Sequence, residues 1–284
     1  MMTLGDLAAP GSIAPWLEAL GGALALAFLA WALLERRQRV AATGRLKELE
    51  DRLARAEMQL GESSRNDPLT GLGNRRRLAE DLPGKLSMAR RTATADWPDH
   101  FTPRHGLGLF LVDVDGLRQI NEARGREIGD AVLRNVADAV RQLVRQEDLV
   151  VRWGDDELVV VGSGMPREGL TALATKILQK VGGVRAAGVN GPSVAVRASL
   201  GFVPYPLIRR GSMSPEEWPL LVELASRVVG LAKQHGGNRA CGLVWAGTYQ
   251  EEQDEPGILT TLLTNPEAKV EGLDLLELTP EGHP

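Results

Sequence analysis

The sequence predicts a domain of mixed α/β (α+β) class built on a central sheet, preceded by a membrane-spanning helix and a short coiled coil. Residues 107–112 form a continuous apolar run, which is typical of a strand buried on both faces. Residues 149–152 and 158–161 are two apolar, β-branched runs, and the few residues between them leave room only for a tight hairpin turn. Residues 129–144 carry apolar side chains at helical spacing between these strands.

The first element is an apolar segment at residues 16–35, which has the length of about 20 residues that a helix needs to cross a bilayer. Residues 1–15 contain no Lys or Arg, whereas arginines follow at positions 36, 37, 39 and 45. The positive-inside rule therefore predicts a single-pass anchor in the inner (cytoplasmic) membrane, with residues 1–15 as a short extracytoplasmic N-terminus. An amphipathic core helix is the alternative, but residues 19–34 offer it little polar face.

Residues 36–65 are predicted to form a coiled-coil linker. Leu46, Leu49, Leu53, Ala56 and Leu60 alternate spacings of three and four, with charged residues between them. A parallel dimer of this helix would bring two copies of the following domain together. Because the seam is short, a lone amphipathic helix stays open as the alternative.

The remaining elements are predicted from apolar spacing and from breaks at Gly and Pro. They are a helix at 170–181, a strand at 194–206, a helix at 215–235 and a strand at 239–244. Residues 247–284 are acidic and rich in turn-forming residues, so we expect a flexible tail there.

Composition limits the partners and the chemistry of the chain. With 284 residues and 43% hydrophobic content, it has room for one sizeable domain and its extensions. A net charge of −4 gives no broad basic surface, so we expect no nucleic-acid partner. The single Cys241 excludes an intrachain disulfide and a cysteine-rich zinc site, and the four histidines lack the spacing of metal ligands.

Two clusters of carboxylates carry the chemistry that the sequence predicts. Asp113 and Asp115 follow the buried strand at 107–112, and Asp155, Asp156 and Glu157 lie at the tip of the hairpin. Like charges this close destabilise the fold unless a cation compensates them, and Mg²⁺ binds one or two carboxylates together with substrate phosphate oxygens. A solvated acidic turn is the alternative for the hairpin tip taken alone.

Several motifs occur in the order in which they are found in a GGDEF domain, and residues 66–246 therefore resemble that bacterial signalling family. The motifs are DPLTGLGNRR at 67–76, DVD at 113–115, Asn121 with Gly129-Asp130, RWGDDEL at 152–158, and AK with GGNR at 232–233 and 236–239. The resemblance implies a nucleotidyl-cyclase-like fold, with a central, mainly antiparallel sheet wrapped by helices. It also implies a homodimer that condenses two GTP molecules into cyclic di-GMP.

The resemblance assigns a role to each matching residue. Asp113 and Asp156 would hold Mg²⁺ or Mn²⁺ together with the carbonyl of Val114, and Glu157 would orient the sugar hydroxyl or the metal. Arg118 would hold phosphate as part of the catalytic set. The substrate-binding residues would be Asn121 and Asp130 at guanine, Lys233 at phosphate, and Gly154 at the hairpin tip.

Arg145 and Asp148 match the family's RxxD inhibitory site, which binds cyclic di-GMP. Arginine suits this role because its planar guanidinium pairs with phosphate and stacks on guanine. A helix-end arginine that pairs with a turn aspartate is an equally simple interpretation of four residues.

The sequence departs from the family at the phosphate end of the pocket. Asp155 replaces the second glycine of the signature, Gly237 replaces a phosphate-binding arginine, and Arg126 and Leu158 replace the usual His and Phe. Three functions therefore stay open. One is a membrane-anchored diguanylate cyclase with impaired catalysis. Another is an inactive module that binds cyclic di-GMP or GTP and signals through its dimer, and the third is a dimerisation scaffold without a ligand.

Overall fold

The computed structural model describes residue 31 and residues 35–36, 64–95, 106–186, 193–207, 214–246, 255–270 and 273–281. The chain divides into two units, Met1–Ser63 and Ser64–Pro284, and almost all of the described residues belong to the second. Most of the predicted membrane span (16–35) and coiled coil (36–65) lies outside the described residues. Within the described part of the chain, no helix combines the length and the apolar character that crossing a bilayer requires.

The second unit contains the predicted strands and helices in their predicted order, together with others that the sequence analysis did not predict, such as the helix and the strand after Ala246. Its helices are α1 (Arg75–Ala95), α2 (Leu117–Arg124), α3 (Arg126–Arg141), α4 (Arg167–Gly182), α5 (Trp218–Gln234) and α6 (Glu255–Thr264). Its strands are β1 (Leu107–Val114), β2 (Leu149–Arg152), β3 (Glu157–Ser163), β4 (Arg185–Ala186), β5 (Val194–Ala195), β6 (Ala198–Tyr205), β7 (Ala240–Trp245) and β8 (Leu273–Leu278).

The sheet is mainly antiparallel, as predicted. The described strands form one six-stranded sheet in the order β2-β3-β1-β6-β7-β8, in which only β6 and β7 run parallel. Strands β2 and β3 form the predicted hairpin. Every residue of β1 is buried, which confirms the interpretation of its apolar run. A second small sheet pairs β4 with β5.

The core lies between the sheet and the helices that cover it. Helix α5 packs on β6, β1 and β7, and α4 packs on β6 and β7. The rings of Phe110 and Phe202 stack in this core with their centroids 5.9 Å apart. Val132, Val136 and Val140 of α3 are fully buried, so the helical spacing predicted there is confirmed.

The prediction of a flexible tail after Ala246 is wrong for most of that segment. Helix α6 buries Leu259 and Leu262, and β8 pairs antiparallel with β7 along its whole length. Arg167 of α4 holds the strand through an ion pair with Asp274 at 2.9 Å. The acidic composition predicted disorder, but these leucines supply the apolar surface that docks the segment on the sheet.

We predict that Gly201→Ala lowers the free energy of unfolding by about 1–3 kcal/mol, the usual cost of overpacking a core. A Cβ at Gly201 would lie 2.2 Å from the carbonyl oxygen of Ala225 and 2.7 Å from the amide nitrogen of Val229, both in the backbone of α5. Helix α5 would therefore have to move away from β6. Thermal or urea unfolding measures the change.

Gly230→Ala is the matched control. Gly230 lies in α5, the helix that Gly201→Ala would displace, and an added Cβ at Gly230 would meet nothing within 4 Å. It should stabilise the protein by up to about 1 kcal/mol through helix propensity. Equal stability of the two variants would contradict the close approach of α5 to β6.

Candidate active site at the edge between β1 and the hairpin

Strand pairing brings the two predicted carboxylate clusters together. Asp113 near the end of β1 lies directly opposite Glu157 at the start of β3. The amide of Val114 donates to the carbonyl oxygen of Asp156 at 3.0 Å, which ties the end of β1 to the hairpin. The carboxylates of the two clusters therefore lie close together, as the sequence predicted.

The cluster holds more negative charge than its protein partners neutralise. Asp113 is 6% exposed, and Lys233 of α5 donates to its carboxylate at 2.6 Å. Burial raises the pKa of Asp113, with Asp156 and Asp115 adding to the rise, and this outweighs the lowering by Lys233. Burial opposes the charge of Lys233 too, but the hydrogen bond and charge of Asp113 raise the pKa of this ammonium group overall.

Asp115 has a positioning role that the sequence did not reveal. One of its carboxylate oxygens accepts from the hydroxyl of Ser199 on β6 at 2.7 Å, and the other accepts from the amide of Asn238 at 3.0 Å. Asp115 thereby fixes the turn between α5 and β7 next to the cluster. The one sequence signal was Ser199 itself, a polar residue within an apolar strand, and it is fully buried.

Arg152 holds the hairpin turn in shape. Its guanidinium pairs with Asp67 at 3.2 Å, and it also donates to the carbonyl oxygens of Gly154 and Asp155. The side chains of Arg152 and Asp67 are only 19% and 14% exposed, so the pair is shielded from solvent. The hairpin tip is therefore anchored to the segment that precedes α1.

The hairpin tip accommodates Asp155 without backbone strain. Among the described residues, the only non-glycine with positive φ is Asn238, so Asp155 adopts a conformation open to any L-residue. Its side chain is exposed. At position 154, by contrast, the glycine leaves room for Glu157, because a Cβ there would lie 2.6 Å from one of the carboxylate oxygens of Glu157.

Trp153 packs the hairpin against two other elements. Its ring meets Trp218 edge to face at 6.0 Å, and the guanidinium of Arg75 lies 4.6 Å from the ring centroid. Arg75 also donates to the carbonyl of Trp153. A cation over an indole face is stabilising, so Arg75 at the start of α1 helps to position the hairpin.

The predicted guanine-binding residues come together at the contact of α2 with α3. The side chain of Asn121 lies against Gly129, where an added Cβ would be 1.8 Å from its Oδ1 atom. This Oδ1 atom is buried and, among the described residues, has no hydrogen-bond partner. Asp130 follows Gly129 in α3, so the two predicted guanine-binding residues belong to the two helices of this contact.

Arg118, the fourth predicted catalytic residue, lies at the surface on α2. Its side chain is 87% exposed and pairs with Glu122 one helical turn away at 2.9 Å.

A comparison with known protein families decides which family has this arrangement. The family model described as "Diguanylate cyclase, GGDEF domain" matches residues 64–239, which is more than half of the chain. The chain belongs to the GGDEF family.

Individual relatives agree with this assignment. Diguanylate cyclase DosC of Escherichia coli (strain K12) is 28% identical over 194 residues, which cover 68% of this chain and 37% of DosC. The chain thus spans little more than a third of that relative.

Two solved structures share the fold of the chain. The diguanylate cyclase SiaD of Pseudomonas aeruginosa, in complex with its activator SiaC, gives a TM-score of 0.53 at 23% identity and 81% coverage of both chains. The coiled coil and GGDEF domain of DgcB from Caulobacter crescentus, in complex with c-di-GMP, gives 0.54 at 19% identity, covering 71% of this chain and 97% of that one.

The GGDEF domain also has a polar cavity next to the hairpin, at the predicted inhibitory motif. This cavity of about 260 Å³ is lined by Arg77, Arg141, Arg145 and Asp148, among others. The carboxylate of Asp148 accepts from the amides of Arg145 and Ser163 at 2.9 and 3.1 Å. Asp148 is therefore held rigidly, while the side chain of Arg145 is exposed.

We predict that Glu157→Gln raises the melting temperature of the metal-free GGDEF domain at neutral pH. Burial, with the charges of Asp113 and Asp156, raises the pKa of Glu157 above its ordinary 4.5, so the ionised form is penalised in the folded state. The penalty is present above the raised pKa and is relieved as the pH falls through it.

Calorimetry of the full-length protein in a chelating buffer, at about pH 8 and at about pH 5, measures the difference between variant and wild type. The advantage of the variant should shrink at the lower pH. An advantage that grows on acidification would contradict the electrostatic argument.

Proposed function

We propose that this protein converts two GTP molecules into cyclic di-GMP, with a rate reduced by its departures from the family pattern. The observation that carries the proposal is the pairing of Asp113 with Glu157 beside Asp156, where Lys233 is the nearest cation. A GGDEF fold with these carboxylates intact retains the groups that the chemistry needs.

Magnesium or manganese fits this donor set. The oxygen atoms of Asp113, Asp156 and the Val114 carbonyl are the hard ligands that Mg²⁺ prefers, and burial, with Asp156 and Asp115 nearby, raises the pKa of Asp113 despite the pairing with Lys233. When bound, the ion would neutralise charge on the triphosphate and polarise the phosphoryl oxygens.

The chain's own residues would orient the two reactants. In the first step the 3′ hydroxyl of one GTP would attack the α-phosphate of the other, and a P–O bond would form as the bond to the leaving pyrophosphate breaks. The reciprocal attack within the linear product would close the ring and release the second pyrophosphate. Glu157 lies opposite Asp113, and burial raises its pKa, so its carboxylate would accept the proton of a hydroxyl bound beside it. Lys233 would turn from Asp113 to the phosphates, and Arg118, which is exposed, can reach them as well.

Guanine would be held by Asn121 and Asp130. The side-chain amide of Asn121 would bond one edge of the base, and the carboxylate of Asp130 would accept from its N1 and N2 atoms.

The reduced rate follows from Asp155 and Gly237. Asp155 does not strain the hairpin, so its effect would be the charge that it adds near a triphosphate. Gly237 has φ of +70°, and its neighbours Gly236 and Asn238 also have positive φ, so this turn is built without the arginine of the family pattern. An arginine placed there would be strained, and restoring it alone should therefore recover little activity.

The cavity at Arg145 favours a second function, binding of cyclic di-GMP. Three arginines around a rigid Asp148 offer planar cations for phosphate and stacking and a carboxylate for guanine. This function would survive even if catalysis did not.

We further propose that residues 16–35 anchor the protein in the inner membrane with the GGDEF domain in the cytoplasm. Residues 36–65 would form a parallel coiled coil that pairs two GGDEF domains, which condensation of two GTP molecules requires. The coiled coil that accompanies the GGDEF domain in the DgcB structure supports this arrangement by likeness.

The test is an assay of the full-length protein in detergent micelles with GTP and Mg²⁺, with cyclic di-GMP quantified by chromatography. Measurable synthesis supports the enzyme. No synthesis, together with calorimetric binding of cyclic di-GMP, supports the receptor.

The cavity is tested by Arg145→Ala, with Arg134→Ala, an exposed arginine on α3, as its control. Binding should weaken about tenfold or more in the first variant only, because a charge-assisted pair contributes about 1.5–3 kcal/mol. Equal affinities would contradict the assignment of the cavity.

A further inference from the structure

Strand pairing at the C-terminal edge of the sheet brings three metal-binding side chains together. Cys241 of β7 lies directly opposite Glu277 of β8, so both side chains project from the same face of the sheet. His235, just after α5, places its Nδ1 atom 2.9 Å from a carboxylate oxygen of Glu277. One ligand atom from each of the three residues lies within 4.8 Å of the other two.

We propose that His235, Cys241 and Glu277 bind a zinc ion. This site is separate from the carboxylate cluster at Asp113, and it does not depend on the proposed activity. A thiolate, an imidazole and a carboxylate are the donor types of protein zinc sites, and three protein ligands with one water molecule complete a tetrahedral shell.

The ligand atoms would have to move closer together to bind zinc. Bond lengths of about 2.0–2.3 Å place the ligand atoms of tetrahedral zinc roughly 3.5 Å apart. His235 stands at a helix end with its side chain 40% exposed, so its ring can adjust, and solvent can reach the fourth position.

Arg239 supports the site from outside. Its guanidinium donates to the second carboxylate oxygen of Glu277, so the oxygen that faces His235 stays available for a metal. A partner that fixes the orientation of a ligating carboxylate is a usual feature of protein metal sites.

Without a metal, Cys241 is a neutral thiol. Its side chain is buried, and burial together with Glu277 raises the pKa of the thiol to about 11. A zinc ion would bind it as the thiolate and release a proton, so affinity should increase with pH.

Spacing along the sequence does not indicate a metal at His235. Cys241 follows six positions later, but the third ligand comes from β8, whose existence the acidic composition concealed. A bound zinc ion would link β8 to the turn between α5 and β7. Asp115 positions this turn next to the candidate active site, so the ion would connect β8 to the edge of that site.

Cobalt titration of the metal-free, full-length protein tests the proposal. Co²⁺ bound by a thiolate gives a ligand-to-metal charge-transfer band in the near ultraviolet, and Cys241 is the only cysteine in the sequence. The band therefore reports this site alone, whatever the carboxylate cluster binds. We expect saturation at one equivalent of Co²⁺ and loss of the band when one equivalent of Zn²⁺ is added.

Variants distinguish the proposed ligands from a cysteine that binds metal by itself. Cys241→Ser should abolish the band, and His235→Ala, which changes an exposed side chain, should weaken Co²⁺ binding about tenfold or more. Circular dichroism verifies that each variant is folded. Absence of the band in the wild type, or an unchanged affinity in folded His235→Ala, would overturn the proposal.

Discussion

Asp113→Asn is expected to abolish the synthesis of cyclic di-GMP, with a fall in turnover on the order of 10³-fold or more, because charge stabilisation is the main source of rate in such sites. The asparagine has the same shape and can still accept the hydrogen bond from Lys233. It removes only the buried negative charge. The change therefore isolates the electrostatic contribution of this position.

Chromatography of the products measures the loss in turnover. A second measurement is the rise in melting temperature on adding GTP with Mg²⁺, which should be present in the wild type and absent in Asp113→Asn even if turnover is slow. Asp138→Asn, which neutralises an exposed carboxylate on α3, is the control and should behave like the wild type. Full activity of Asp113→Asn would refute the proposed metal site.

Arg152→Ala is expected to produce a large loss of stability, about 3 kcal/mol in the free energy of unfolding. The substitution leaves the carboxylate of Asp67 shielded and unpaired, and it removes the donors that hold the carbonyl oxygens of Gly154 and Asp155. Because this turn carries Asp156 and Glu157, activity should fall together with stability.

Urea unfolding measures the change in free energy, and the melting temperature should fall by roughly 6–12 °C for a domain of this size. Arg227→Ala is the control, since Arg227 is 56% exposed and forms an i,i+4 pair with Glu223 at 3.2 Å. It should change stability by less than about 0.5 kcal/mol. Similar effects of the two variants would show that the Arg152 pair has no special role.

Sequence reasoning succeeded where the information is local. The buried strand β1 and the β2–β3 hairpin follow from apolar runs and turn residues. The meeting of Asp113 with the hairpin carboxylates followed from the end of one strand and the tip of another. Motif order then added residues such as Asn121 and Asp130, which no periodicity would have selected.

Sequence reasoning was less successful where partners are distant or conformation matters. The pairing of Lys233 with Asp113, and the bracing of Asn238 by Asp115, each join residues more than a hundred positions apart. Asp155 replaces a glycine of the family pattern, yet the turn has no positive φ at that position. The acidic composition also gave no indication of β8, because the docking of this strand depends on a few leucines among many acidic residues.

The pairing of β7 with β8 also has a consequence for biogenesis. The other strands of the six-stranded sheet precede β8 in the sequence, so one flank of β7 has no strand partner until residues 273–278 have been synthesised. A truncated protein that stops after Trp245 would leave that flank permanently open to pairing with other molecules. Expression vectors for this protein should therefore include residues 273–278.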